Sequence, residues 1–211
     1  MKNGSVLSKA LAKFSPNNTK ANVTFKLGDL GSNDRALTQW PDENGTIIIT
    51  LNTNSTSNKR VDYNPNIFVA NTIIHEVIHA EFLRQILNEI GLDQIPNLTP
   101  EEAIASLENG DRHIIYEYYR VTKDWSHNFM ADYYRDTFAR ATQEFDTGIA
   151  VPDNEEPAQI YKDVAWLGLM NFPGQEATII AFDQLLNSEK NRIIAVLNDL
   201  LDDNANETCT Q

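Results

Sequence analysis

The chain has 211 residues and one cysteine, Cys209, so it can fold as one domain with a substantial core, but an internal disulfide or a cysteine-held structural zinc is excluded. Its net charge of −13 gives a phosphate backbone no general attraction, so no nucleic-acid partner is expected. No apolar run approaches the roughly 18 residues of a membrane span, and no signal peptide is recognisable, so no membrane partner is expected and the cellular location is left open.

The first part of the chain has the pattern of strands and loops. Residues 1–22 are predicted to be a lead-in, and β-branched segments at Val23–Leu27 and Thr46–Leu51 predict two strands of a small sheet. A polar loop then leads to Pro65, which precedes a long apolar segment typical of a buried helix. Strands followed by helices indicate an α+β fold, with a single domain over residues 23–201.

The segment Ile67–Ile90 contains neither Pro nor Gly and predicts a helix that carries the motif His-Glu-Val-Ile-His at residues 75–79. Residues four apart on a helix point the same way, so His75 and His79 can share one metal ion. Glu76 lies about 100° round the axis, where it can face the open side of the metal and take a proton from a bound water. This division of roles is that of an HExxH zinc hydrolase.

The alternative is that His75 and His79 are structural side chains satisfied by hydrogen bonds within a helical core. Such a core is costly, because each unpaired buried polar group costs about 1–3 kcal/mol and an unpaired charge costs more. A bound metal ion compensates the two imidazoles and the neighbouring carboxylate together, which favours the metal site.

The rest of the chain is predicted to be mainly helical. The predicted helices cover residues 67–90, roughly 100–108, 112–121, 126–146, 157–168, 175–187 and 189–202. The last residues, 202–211, are acidic and polar and are predicted to form a disordered tail.

A catalytic zinc usually keeps three protein ligands and leaves a fourth position for water, so the two motif histidines need a third donor. The extended motif HExxHxxGxxH is absent, because Phe82 stands where it needs Gly and Gln85 where it needs His. The third donor must therefore come from a separate element. The candidates are His113, His127, Glu117, Asp132 and Asp136.

His127 is the best placed of these candidates. Ser126 can cap a helix there, and a stripe of core-facing residues begins with His127 in the first turn. The members of the stripe are His127, Met130, Ala131, Tyr134, Phe138, Ala141 and Phe145. Asp132 and Asp136 fall off the stripe and are interpreted as solvent-facing or helix-pairing charges, and His113 as a partly exposed residue at a helix start.

Four segments of the chain resemble a known family. They resemble SprT-like zincin domains of the type found at the ends of long secreted or phage-associated bacterial proteins. The four segments are Thr72–Ala80, His127–Arg135, Glu144-Phe-Asp and Ala165-Trp-Leu-Gly-Leu. The resemblance implies a zincin-like fold, a place within a larger polypeptide, and Zn²⁺ bound by three histidines beside a glutamate general base. The matching ligands and base are His75, His79, His127 and Glu76. Family members that digest proteins crosslinked to DNA usually add a cysteine zinc ribbon or basic parts, and this acidic chain has neither.

The residues and the resemblance together predict a zinc-dependent metallopeptidase that cleaves a protein or peptide substrate with a metal-activated water. Two alternatives are a zinc-stabilised binding or assembly module without turnover and a metal-dependent hydrolase of another amide. The intact Glu76 favours an enzyme, because a structural site needs no general base. Strand Thr46–Leu51 is either the edge that holds an extended peptide or an ordinary core strand. The candidate oxyanion donors are Tyr118, Tyr119, Tyr133 and Tyr134.

Overall fold

The computed structural model describes residues 6–14, 21–90, 125–171 and 179–208. The fold is α+β, as predicted, with a three-stranded sheet that packs against helices. Within the described ranges, no helix combines the length and the apolar character needed to cross a lipid bilayer. The elements in chain order are α1 (Val6–Ala12), β1 (Asn22–Gly28), β2 (Ala36–Thr38), β3 (Thr46–Asn52), α2 (Asn66–Ile90), α3 (Trp125–Tyr133), α4 (Arg135–Thr147), α5 (Gln159–Val164), α6 (Ile180–Asp183) and α7 (Asn187–Thr208).

The three strands are arranged in the order β1-β3-β2. Strand β3 runs parallel to β1 and antiparallel to β2, with Thr38 of β2 opposite Ile49. Ile47 and Ile49 point to one face of β3 and are fully buried. Because β3 is the central strand, the interpretation of Thr46–Leu51 as an edge strand is wrong and its alternative, a core strand, is confirmed. The three-residue β2, which the sequence did not predict, forms one edge of the described sheet.

The segment predicted as a lead-in contains helix α1. Phe14, just after this helix, is buried, and Lys13 donates to the buried Glu81 carboxylate of α2 at 3.1 Å. A seven-residue helix is shorter than the roughly 12–15 residues that an isolated helix needs. Its stability therefore comes from packing against α2, which the local sequence pattern does not reveal.

Helix α2 begins at Asn66 and ends at Ile90, so the prediction of a helix over 67–90 is confirmed. Its first turn follows Pro65, whose carbonyl accepts the amide of Phe68 at 2.9 Å. Buried residues lie on several sides of the helix, as its sequence predicts. They include Phe68, Ile74, Val77, Ile78, Ala80 and Leu83.

The single helix predicted over 126–146 is two helices, α3 and α4, separated at Tyr134. The Arg135 guanidinium donates to the Ala131 carbonyl, which is the oxygen that the Arg135 amide takes in an unbroken helix. This side-chain contact is a physical reason for the break. Helix α3 begins at Trp125, so Ser126 lies inside the first turn and is not the predicted cap.

The helices of the C-terminal part differ from the prediction at their ends. Helix α5 ends at Val164 and α6 at Asp183, each four residues before the predicted end. Helix α7 continues to Thr208 and so enters the segment 202–211 that was predicted to be disordered. No Pro or Gly interrupts the chain there, so nothing in the backbone chemistry ends the helix earlier.

An ion pair between a buried aspartate and a half-exposed arginine joins α5 to α7. Asp163 is 1% exposed, and Arg192 of α7 donates to both of its carboxylate oxygens, at 3.1 Å each. Gln159 adds a third hydrogen bond at 2.9 Å. The end of α5 is thereby fixed, and with it the start of the loop that contacts the candidate site.

Candidate metal centre

Two helices bring three imidazole rings together. His75 and His79 lie four residues apart on α2, and His127 lies in the first turn of α3. Nε2 of His79 is 3.1 Å from Nε2 of His75 and 3.1 Å from Nε2 of His127. The three ligand atoms lie within 4.8 Å of one another, so the group could hold a metal ion. The structure thus brings together the three histidines that were predicted as ligands.

Hydrogen bonds between the rings do not account for this arrangement. A ring nitrogen carries either one proton or one lone pair, so Nε2 of His79 can form one good hydrogen bond with another ring but not two. Three Nε2 lone pairs around one point suit a metal ion. Tetrahedral ligands at the Zn–N distance of about 2.0–2.1 Å lie about 3.3 Å apart. The observed 3.1 Å is close to this spacing, so the donor set fits zinc.

The ring of His75 is enclosed by its neighbours. It is 7% exposed and stacks on Phe138 of α4, with centroids 5.7 Å apart and ring planes 26° apart. Burial holds the pKa of His75 well below its ordinary value, and the nearby His127 lowers it further. His75 is therefore neutral at pH 7, which is the form of imidazole that binds a metal.

Gly168 lies close to the ring of His75. Its φ is +85°, a conformation that favours glycine, and a Cβ at this position would lie 3.2 Å from Cε1 and 3.3 Å from Nδ1 of His75. Only a residue without a side chain lets the loop after α5 approach the ring this closely. The resemblance to SprT-like domains included the segment Ala165–Leu169, but no role was predicted for the glycine within it.

A buried polar network holds this loop in place. Asn71, one turn before His75 on α2, donates to the Leu167 carbonyl at 3.3 Å. The Thr142 hydroxyl of α4 donates to Oδ1 of Asn71 at 3.4 Å. Asn71 and Thr142 are almost completely buried, so the network joins α2, α4 and the loop at the back of the site. An asparagine one turn before the motif was the sequence signal that could have indicated this contact.

The motif glutamate, Glu76, is held by a hydroxyl group of the sheet. Glu76 is 7% exposed, and Oε2 of its carboxylate accepts a hydrogen bond of 2.6 Å from the hydroxyl of Thr38 in β2. Burial raises the pKa of Glu76, while the Thr38 hydrogen bond acts in the opposite direction. Sequence analysis missed Thr38, because β2 has only three residues and no recognisable pattern.

The position of β2 depends on Asn52, the last residue of β3. Its side-chain amide donates to two carbonyls in the loop that precedes β2, and its Oδ1 accepts two backbone amides from the neighbouring loops. The partners are Gly31 at 2.8 Å, Asp34 at 2.6 Å, Leu30 at 3.2 Å and Asn54 at 2.8 Å. The fully buried Asn52 thus uses both donors and both acceptor sites of its amide, and it fixes the approach to Thr38.

The two carboxylate candidates in the described part of the chain do not join the three histidines. Asp132 is exposed and Asp136 pairs with Arg140 at 2.6 Å, in agreement with their interpretation as surface charges. Of the predicted stripe, Phe145 is 58% exposed, so its predicted burial is wrong. It lies in the last turn of α4, beyond Thr142, where the buried face of the helix ends. Four further candidates lie outside the described residues: the possible ligands His113 and Glu117, and the possible oxyanion donors Tyr118 and Tyr119.

The two candidate oxyanion donors in the described part differ in exposure. Tyr133 is 70% exposed, and Tyr134 is half-buried beside Phe82, with ring centroids 5.7 Å apart. No observed contact of either hydroxyl selects one of them. The identity of the oxyanion donor stays a prediction.

Comparison with protein-family models, with curated proteins and with solved structures found no match to this chain. The groups at the site itself are therefore the basis for assigning a function. These are three imidazoles, the buried carboxylate of Glu76 and the hydroxyl of Thr38.

Proposed function

We propose that this protein is a zinc-dependent metallopeptidase with a zincin-like fold of the SprT-like type. The observation that carries the proposal is the convergence of three Nε2 atoms from two helices, one of which also carries the motif glutamate. Structural zinc sites are closed by four protein ligands, whereas catalytic sites keep three and an open position. The group found among the described residues has three, which favours a catalytic site.

Each group has a specific role in the proposed reaction. His75, His79 and His127 would hold the ion, and a bound zinc would supply a water whose pKa is lowered to about 7 and a positive charge that polarises the scissile carbonyl. Glu76 accepts the proton of the attacking water and returns it to the leaving amine. The burial of His75 and Glu76 keeps bulk water away from both residues, which strengthens electrostatic interactions there.

Strand β2 supports a peptide as the substrate. An extended peptide can add to an exposed sheet edge through backbone hydrogen bonds, and β2 is an edge of the described sheet. Thr38 of β2 contacts Glu76, so a peptide paired with this strand lies near the base. We therefore assign the binding of an extended peptide at the sheet edge to β2 rather than to Thr46–Leu51.

The Glu76→Gln variant tests the proposal. We expect the zinc-loaded wild type to cleave a pool of quenched fluorescent peptides of random sequence. Glu76→Gln should cleave the peptides at least about 100-fold more slowly than wild type, because general acid–base catalysis contributes about 10²–10⁴-fold to the rate. The variant should still bind one zinc per chain. Glu81→Gln is the control, since Glu81 is a buried glutamate of the same helix that pairs with Lys13 and Arg84.

Two outcomes would contradict the proposed activity. Stoichiometric zinc without cleavage of the peptide pool by wild type would favour the zinc-stabilised binding module. Cleavage at the wild-type rate by Glu76→Gln would show that another group takes the proton.

A further inference from the structure

We propose that Thr38 is a positioning residue for the general base: its hydroxyl holds Oε2 of Glu76, so that Oε1 is the oxygen presented to the attacking water. This role rests on the proposed peptidase function. It deepens that function by adding a residue from the sheet, 38 positions before Glu76, to a site otherwise built from helices.

The hydrogen-bond distances identify the acceptor of the Thr38 proton. The hydroxyl oxygen lies 2.6 Å from Oε2 of Glu76 and 3.0 Å from the Glu76 carbonyl oxygen. A hydroxyl donates one proton, and a distance of about 2.5–2.7 Å is typical of a hydrogen bond to an ionised carboxylate. The same carbonyl in an α-helix accepts the amide four residues later, that of Ala80. The proton of Thr38 is therefore donated to the carboxylate.

A single anchored oxygen restricts the orientation of the carboxylate. A glutamate side chain has several rotatable bonds, and fixing them costs conformational entropy. The Thr38 hydrogen bond fixes the side chain of Glu76 before the substrate binds, which is the form of preorganisation that favours a reaction between positioned groups. It also offsets part of the cost of burying the charged carboxylate.

The sheet holds Thr38 in the orientation that this role requires. Alternate residues of a strand point to opposite faces, and Thr38 faces Glu76 while its neighbour Leu37 is 42% exposed. Thr38 also lies opposite the fully buried Ile49 of β3. A shift of β2 by one residue would turn the hydroxyl away from α2. The orientation of the base is thus tied to the register of the edge strand on which we propose that the peptide binds.

A pair of substitutions at position 38 tests this role. Thr38→Val keeps the shape of the side chain and removes the hydroxyl, whereas Thr38→Ser keeps the hydroxyl. We expect Thr38→Val to lower kcat by about 10–100-fold, the usual effect of losing an outer-shell partner, with KM and zinc content unchanged. Thr38→Ser should restore most of kcat. Thr24→Val, on the exposed part of β1, should leave both constants unchanged.

Proton NMR of the zinc-loaded protein gives a readout independent of turnover. We expect a slowly exchanging hydroxyl proton of Thr38, which Thr38→Val and Glu76→Gln should each remove or shift. An active wild type whose kcat is unchanged by Thr38→Val would overturn the positioning role and leave the peptidase function intact. An inactive wild type that retains this hydroxyl signal would instead contradict the proposed function, and the positioning role with it.

Discussion

Replacement of His127 by Ala is expected to weaken zinc binding by at least about 100-fold. His127 supplies one of three ligand atoms and is the ligand that comes from outside α2. Its loss leaves two imidazoles, and even the loss of an outer-shell partner costs about 10–100-fold in metal affinity. Competition with a chromophoric chelator at pH 7 measures the dissociation constant. Circular dichroism of the same sample checks that α3 still folds.

His113→Ala is the matched control for this experiment. His113 is the other histidine that the sequence offered as a third ligand, and the structure groups His127 with His75 and His79. We therefore expect His113→Ala to bind zinc as tightly as wild type. Tight binding by His127→Ala together with weak binding by His113→Ala would show that the third ligand has been assigned to the wrong histidine.

The Gly168→Ala substitution is expected to weaken zinc binding by about 10–100-fold, although residue 168 is not a ligand. This is the usual effect of a change in a residue that supports a metal ligand. The new Cβ would lie 3.2 Å from the His75 ring, so either the ring or the loop must move. The network of Asn71, Thr142 and Leu167 resists movement of the loop. We therefore expect the ring to tilt away from its position for metal binding.

Gly148→Ala is the control that distinguishes the effect of the Cβ contact with His75 from the effect of backbone strain at a positive φ. Gly148 has a φ of +69°, similar to the +85° of Gly168, but open space surrounds the position that its Cβ would take. Both substitutions should cost about 1–2 kcal/mol in the free energy of unfolding, the usual penalty for a side chain in the left-handed region. Only Gly168→Ala should also change the dissociation constant for zinc. Equal zinc affinities in the two variants would contradict the role of Gly168 as a support for His75.

The parts of the site that could be predicted from the sequence are those whose residues follow a regular spacing within one segment of the chain. The motif His75–His79 lies within one helix, where a spacing of four residues sets the relative direction of the two rings. His127 was singled out because apolar residues such as Met130 and Ala131 follow it at helical spacing. In both cases one helical segment carries the information.

The parts that sequence analysis missed depend on contacts between distant segments. Thr38 is 38 residues from Glu76, and Asn71 is 96 residues from Leu167, so no local periodicity connects them. Strand β2 is too short to have a periodic pattern, and its place at the sheet edge follows from pairing with β3. The break at Tyr134 coincides with a side-chain hydrogen bond from Arg135, which helix propensity does not describe.

The coordination of the bound ion tests the central claim most directly. X-ray absorption at the zinc K-edge, on wild-type protein loaded with one equivalent of zinc, reports the number and kind of ligands. We predict three imidazole nitrogens at about 2.0–2.1 Å and one further oxygen from water, in agreement with the grouping of His75, His79 and His127. A shell made mainly of carboxylate oxygens, or one closed by four protein ligands, would contradict the proposed catalytic zinc site.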